Sequence, residues 1–213
     1  MSSSSASIIE KPGKIVIISS PSGGGKTSIC KALLSGLRLK QGWRFSVSYT
    51  TRQKRNGEEN GREYFFVAEK EFEKKKRENF FAEHFKVHLY KYGTPRKPLD
   101  EVVRKGGVII LDVDVQGAAA IREHYPEAIS IFVLPPSVRE LRKRLRRRGT
   151  ETNEQLRVRF ENAKKEMKEY EKFPYTVINK DLPRAVAEVL AIIMAHPCRT
   201  NNIKKEQIEK IIG

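Results

Sequence analysis

The sequence predicts an α/β protein: a parallel sheet flanked by helices, carrying an inserted, mostly-β domain and a helical lid. Three observations carry this reading. Short apolar runs rich in β-branched residues recur at Ile15–Ser19, in GGVIILDVDVQG from Gly106 and in ISIFVLPP from Ile129, as strands buried on both faces of a parallel sheet require. A glycine-rich loop joins the first run directly to a helical pattern. Between about residues 43 and 98 the strand-helix rhythm gives way to short alternating pieces, the mark of an inserted small sheet.

Taken in order, residues 1–12 are serine-rich and polar and close on Pro12-Gly13, which predicts a flexible tail. Lys14–Lys31 then reads KIVIISSPSGGGKTSICK. Ile15–Ser19 is the first strand; Ser20, Pro21, Ser22, Gly23, Gly24, Gly25, Lys26 and Thr27 form the loop; Ile29, Ala32, Leu33 and Leu34 follow at helical spacing. The loop is close to the phosphate-binding pattern G-x-x-x-x-G-K-[ST]. Glycines let successive N–H groups turn inward around anionic oxygens, and the helix beginning there adds the positive end of its dipole. In that pattern Lys26 sits on the β- and γ-phosphates of a nucleotide and the Thr27 hydroxyl on Mg²⁺. Ser20 replaces the first glycine, so the loop entry must avoid positive φ there.

Gly36 to Gly42 closes this unit. The inserted segment, 43–98, contains RFSVSYT, EYFFV, FFAEHF and HLYKYG as strand candidates and one charged helix, Glu69 to Glu78. The parallel pattern resumes at Val108; Gln116 to His124 is a short helix, and the run from Ile129 stops at Pro135-Pro136. Ser137 is a fitting N-cap for a helix over Val138–Arg148, and Gly149 ends it. Thr152 or Asn153 starts the next helix, to about Lys172; YTVINK is the last strand and Leu182 to Ala195 the closing helix. The core is thus residues 13–42 and 99–195, with the lid within 137–160. In the extension 196–213, Ile203, Ile208, Ile211 and Ile212 form a weak apolar stripe that is expected to dock on this protein.

The 213 residues, 38% hydrophobic and 32% charged, suit a soluble globular chain with a sizeable core. No run approaches a membrane span, and Met1–Ser7 has neither the basic start nor the apolar core of a secretion signal, so a cytoplasmic protein is expected. Cys30 and Cys198 lack metal-ligand spacing and read as free thiols. His84 and His88 stand close together, but without further ligand types nearby they carry no metal site. A net charge of +16 fits either a nucleic-acid surface or a polyanionic small substrate. The excess falls in short segments such as Lys74–Arg77 and Arg139–Arg148, without the interleaved aromatics of single-strand binding, so no obligate nucleic-acid partner is expected.

Three further clusters bear chemistry. Asp112, at the end of an apolar strand, stands where a phosphate-loop fold positions an acid near Mg²⁺, with Asp114 two residues on; a pair of carboxylates capping a loop is the alternative. Ser48-Tyr49-Thr50-Thr51-Arg52-Gln53-Lys54-Arg55, followed by Glu58, Gly61 and Tyr64, offers guanidinium groups and a phenol as a phosphate clamp, or equally a decorated surface. LRKRLRRRGTETNEQLRVRF places Arg148 and Arg159 across a helix junction, as an arginine-rich lid over a migrating phosphoryl group requires; a solvated basic face accounts for some of the other arginines.

In this order and spacing SPSGGGKTS, SVSYTTRQKRNGEENGREY, YGTP, LDVDVQG, RLRRRGTET and VINKDL closely resemble the guanylate kinase family over roughly residues 13–195. The TTR…R…GE.NG..Y block belongs to that family rather than to phosphate-binding loops generally. The resemblance implies the P-loop nucleoside monophosphate kinase fold and transfer of the γ-phosphate of ATP to GMP or dGMP, giving ADP and the diphosphate, with Mg²⁺, in purine nucleotide metabolism. It implies that Arg52, Arg55, Tyr64 and Tyr92 hold the GMP phosphate, while Ser48, Glu83, Thr94 and Asp114 read guanine. That division makes chemical sense, since guanine offers N1–H and N2 donors to a carboxylate and an O6 acceptor to a hydroxyl. By the same resemblance Ser20 to Thr27 hold the ATP phosphates, Asn179 lies near adenine, Thr27 and Asp112 hold the metal, and Lys26, Arg52, Arg148 and Arg159 act in the transfer. Segment 43–98 becomes the GMP-binding domain. Some relatives are non-catalytic scaffolds that bind phosphorylated peptides; those typically lack a working phosphate loop, whereas this chain keeps Lys26, Thr27 and Asp112.

Overall fold

The protein is described by a computed structural model covering residues 13–34, 42–87, 89–146, 153–203 and 205–212. The predicted tail, Arg148, Gly149, Thr152 and His88 lie outside these residues. The strands are β1 (Lys14–Ser19), β2 (Trp43–Phe45), β3 (Tyr49–Thr50), β4 (Phe65–Phe66), β5 (Phe81–Val87), β6 (Tyr90–Pro95), β7 (Val108–Asp112), β8 (Ile129–Leu134) and β9 (Tyr175–Ile178). The α-helices are α1 (Lys26–Leu33), α2 (Glu69–Arg77), α3 (Arg96–Lys105), α4 (Val115–His124), α5 (Val138–Arg146), α6 (Asn153–Met167), α7 (Leu182–Ala195) and α8 (Lys205–Ile212), and a 3-10 turn over Lys168–Lys172 follows α6. A five-stranded sheet runs β2-β7-β1-β8-β9, with the β1–β8, β2–β7 and β8–β9 pairs parallel. Its apolar runs are buried, from Ile15 to Ile18 on β1, Val108 to Leu111 on β7 and Ile129 to Val133 on β8, as the predicted burial on both faces demands.

The chain divides into two compact units. One takes the described residues within Met1–Ile15, Gly36–Leu111 and Ala120–Ala128. It holds a second sheet of order β4-β3-β6-β5, in which β3 pairs parallel with β4 and antiparallel with β6. Aromatic rings fill this unit: Tyr49 stacks on Phe65 at 4.7 Å, and Phe72 from α2 stacks on Phe81 at 4.7 Å. Pairing of β5 with β6 shifts register between Phe81 and Glu83. The irregularity lets Phe81, Ala82 and Glu83 all be buried in succession, which strict alternation forbids.

The other unit takes Val16–Ser35, Asp112–Ala119 and the described part of Ile129–Gly213. Here Leu141 and Leu145 of α5 pack with Phe160 and Ala163 of α6 as a small core beneath the basic helices. Ser137 caps α5 as expected, its Oγ accepting from the Glu140 N–H at 3.1 Å.

The structure corrects four expectations. RFSVSYT is two strands in different sheets, since β2 pairs with β7 while β3 pairs with β4 and β6; alternation marks a strand without saying which sheet it joins. Helix α3 is absent from the expected elements; it begins within the 43–98 segment, with Pro98 in its first turn, where the missing N–H costs nothing. Asp114 does not extend the strand: β7 ends at Asp112, and Asp114 precedes α4, its Oδ1 accepting from the Gly117 N–H at 2.8 Å. The C-terminal stripe is not docked, for Ile211 and Ile212 are 73% and 79% exposed.

Candidate active site

The phosphate-type loop follows β1 in the second unit. A turn closes with the Gly24 N–H donating to the Pro21 carbonyl at 2.9 Å, and Gly23 lies at φ 86°, the left-handed third position that glycine supplies. Gly25, at φ 98°, opens α1. A Cβ there would stand 2.1 Å from Asn179 Nδ2, so close approach and backbone conformation both demand glycine. Ser20 is not among the described positive-φ residues, of which Asn79 is the one non-glycine; the missing first glycine therefore introduces no strain.

Lys26 Nζ lies 2.7 Å from Asp112 Oδ1 and donates to the Val113 carbonyl at 3.0 Å. Thr27 Oγ1 donates to Asp112 Oδ2 at 3.2 Å. The end of β7 and the start of α1 thus converge on one carboxylate, one hydroxyl and one ammonium; Lys26 and Thr27 border a cleft of ≈ 720 Å³ lined also by Ser22, Asp114 and Glu166. Asn179, buried at the end of β9, donates through Nδ2 to the Gly24 carbonyl at 3.0 Å. Arg159 Nε donates to Ser22 Oγ at 2.9 Å. Behind the loop the buried Cys30 thiol is pushed far up, first by burial and then by the charge of Asp112; such a thiol is inert.

The second constellation lies in the first unit. Thr94 Oγ1 donates to Glu83 Oε1, and Ser48 Oγ stands 3.4 Å from Thr94 Oγ1. Thr94 is fully buried and Glu83 6% exposed, so a carboxylate and two hydroxyls line one spot on the small sheet. Arg52 makes a two-pronged pair with Glu58 at 2.9 and 2.8 Å. Its guanidinium lies 5.4 Å from the centre of the Tyr64 ring, and Tyr64 meets Tyr92 edge-on at 5.9 Å. Burial opposes the Arg52 charge, but Glu58 and Tyr92 outweigh it and hold the group above its ordinary value. Arg52 in turn holds Glu58 below the ordinary carboxylate value. Arg55 is exposed, with its backbone N–H on Glu58 Oε2 at 2.8 Å.

Three participants escape the sequence reading. Glu58 stands in the quoted motif without a role, yet it orients Arg52. Arg144 donates to the Asn179 carbonyl at 2.9 Å and reaches the Gly24 carbonyl at 3.4 Å; one arginine among many in a basic helix carries no signal of its own. Glu166 accepts the Ser22 N–H at 2.9 Å across 144 positions of sequence, and nothing local announces it.

A family profile described as guanylate kinase matches residues 12–196. Proteins named guanylate kinase include one from Caldanaerobacter subterraneus subsp. tengcongensis, 43% identical over 92% of this chain and 94% of its own. Another, from Clostridium tetani, is 46% identical over 90% of each chain. The crystal structure of guanylate kinase from Anaplasma phagocytophilum superposes with a TM-score of 0.78 at 31% identity, covering 97% of this chain and 98% of that one.

Proposed function

This chain belongs to the guanylate kinase family and phosphorylates GMP with ATP; on that premise we propose how its residues divide the work. The observation that carries the proposal is the pairing of Glu83 with Thr94 and Ser48 at a buried spot in the small-sheet unit. A carboxylate accepts from guanine N1–H and the N2 amine, and a hydroxyl donates to O6; adenine offers neither donor at those positions. Asp114, in the other unit, is the further guanine-reading candidate, and its hydrogen bond to Gly117 also makes it a helix cap.

Arg52, Arg55, Tyr64 and Tyr92 receive the GMP phosphate. The Ser20–Thr27 loop cradles the ATP phosphates with Lys26 over the transferring end, Asn179 sits towards adenine, and Arg159 together with Arg148, which lies outside the described residues, closes over the migrating group. Thr27 and Asp112 supply hard oxygen donors on one spot, a set that fits Mg²⁺, whose remaining positions go to phosphate and water. When bound, the ion neutralises charge on the phosphates. The acceptor is already an anionic oxygen, so no base is required; positioning and charge neutralisation supply the catalysis. The domains follow the same division: residues 43–98 for GMP, 137–160 as the lid, the remainder as the ATP core. No helix among the described residues is long and apolar enough to cross a membrane; a cytoplasmic setting within purine nucleotide metabolism belongs to the same proposal.

Glu83→Gln is the direct test. Calorimetry should find GMP binding weakened at least about tenfold, by loss of a charged acceptor, with ATP binding unchanged. Equal loss of both ligands contradicts the guanine-reading role.

A further inference from the structure

Glu166 is an acid at the edge of a pocket built for anions. We infer that it is a positioning residue for the phosphate loop: its carboxylate fixes the Ser22 N–H, and with Arg159 ties helix α6 to the outer arm of that loop. The inference rests on the reading of Ser20–Thr27 as the ATP-binding loop.

The geometry is specific. Glu166 Oε2 takes the Ser22 N–H at 2.9 Å, and Arg159 Nε donates to Ser22 Oγ at 2.9 Å. Both side chains come from α6 seven positions apart, two helical turns, and so share one face. Ser22 is the second residue of the turn closed from Gly24 N–H to the Pro21 carbonyl. Holding its amide and its hydroxyl together fixes the Pro21–Ser22 peptide plane and the Ser22 side chain, immediately before Gly23, whose φ of 86° the turn depends on. Asn179 holds the same turn from its far end at the Gly24 carbonyl, so the loop is anchored at both ends.

Glu166 lies in the last turn of α6, which runs on into the 3-10 turn over Lys168–Lys172. The partner the structure gives its carboxylate is the loop amide. A charge-assisted hydrogen bond from a backbone N–H to a carboxylate is about twice as strong as a neutral one, enough to hold a glycine-rich turn in one conformation before ligand arrives.

The test uses full-length Glu166→Ala and Glu166→Gln, with Lys26→Ala as reference, in calorimetric titrations with Mg·ATP and separately with GMP, followed by steady-state kinetics. Glu166→Ala should weaken ATP binding and raise its KM about tenfold, leaving GMP affinity and GMP KM within about twofold. Glu166→Gln keeps an oxygen acceptor for the Ser22 N–H and should return ATP affinity to within about threefold of the parent. Unchanged or tighter ATP binding by Glu166→Ala overturns the inference, the latter by making Glu166 a competitor of phosphate. Glutamine no better than alanine also overturns it. If Lys26→Ala weakens ATP while Glu166→Ala does not, the inference alone fails; if neither does, the loop assignment fails with it. Should the alanine variant not fold, the Ser22 amide resonance followed through a pH titration of the parent and of Glu166→Gln decides: a shift tracking a carboxylate in the parent and absent in the glutamine variant is expected, and no difference between them refutes the contact.

Discussion

Arg52 is a cation only 8% exposed, and its two-pronged pairing with Glu58 explains how the fold tolerates it. Guanidinium and carboxylate match in shape, and two parallel hydrogen bonds fix the fork in one plane. Glu58 therefore holds the Arg52 guanidinium in one orientation, as its proposed role on the GMP phosphate requires. Glu58→Ala should raise the KM for GMP about tenfold and cost roughly 1–2 kcal/mol of stability, a partly screened value between exposed and buried pairs. The pH dependence has a definite sign. Arg52 holds Glu58 below its ordinary value of 4.5 in the folded chain. The stabilisation is thus fully present above that value and lost as pH falls through the lowered folded one. Denaturant midpoints of parent and Glu58→Ala should differ most above pH 4.5 and converge as pH falls below it; a gap that stays constant contradicts the linkage.

At the scale of the element, loop and helix α1 are set by glycines whose backbone the sequence cannot replace. Gly25→Ala would place a Cβ 2.1 Å from the buried Asn179 amide at a φ of 98°. Strain of about 1–3 kcal/mol should appear in thermal unfolding, with ATP affinity reduced at least about tenfold. Gly42 has a comparable φ of 81° but open space around its Cβ position; Gly42→Ala should cost about 1 kcal/mol at most and leave ATP binding intact. Equal effects of the two on ATP would deny that the Asn179 contact shapes the loop. The same contrast explains what was legible in the sequence. Strand β1, the loop and α1 are contiguous, so apolar run, glycines and helical spacing announce them together. The partners that tension the loop, Asn179, Arg144 and Glu166, arrive from more than 100 residues away. Family resemblance implies a role for Asn179; Arg144 and Glu166 carry no local sequence signal. Helix α3 carries no signal that the sequence reading uses, and the burial of three successive residues, Phe81 to Glu83, goes with a slip in pairing, an irregularity that alternation cannot encode.

For the whole molecule, chemistry is shared between two units, each with its own core. Of the proposed guanine-reading residues Ser48, Glu83 and Thr94 lie in the small-sheet unit with Arg52, Arg55, Tyr64 and Tyr92, while Asp114 lies in the other with the glycine-rich loop and Asp112. A net charge of +16 suits two polyanionic substrates, while the choice between bases is proposed to rest on the hydrogen-bonded group at Glu83. The measurement that bears most directly on this account is ADP release from Mg·ATP with GMP, AMP, CMP and UMP offered one at a time to the folded protein. Turnover with GMP, and at most a hundredth of that rate with AMP, is predicted, because a pocket built to pair with guanine leaves its buried polar groups unmatched by adenine. Comparable turnover with AMP, or none with any acceptor, would contradict it.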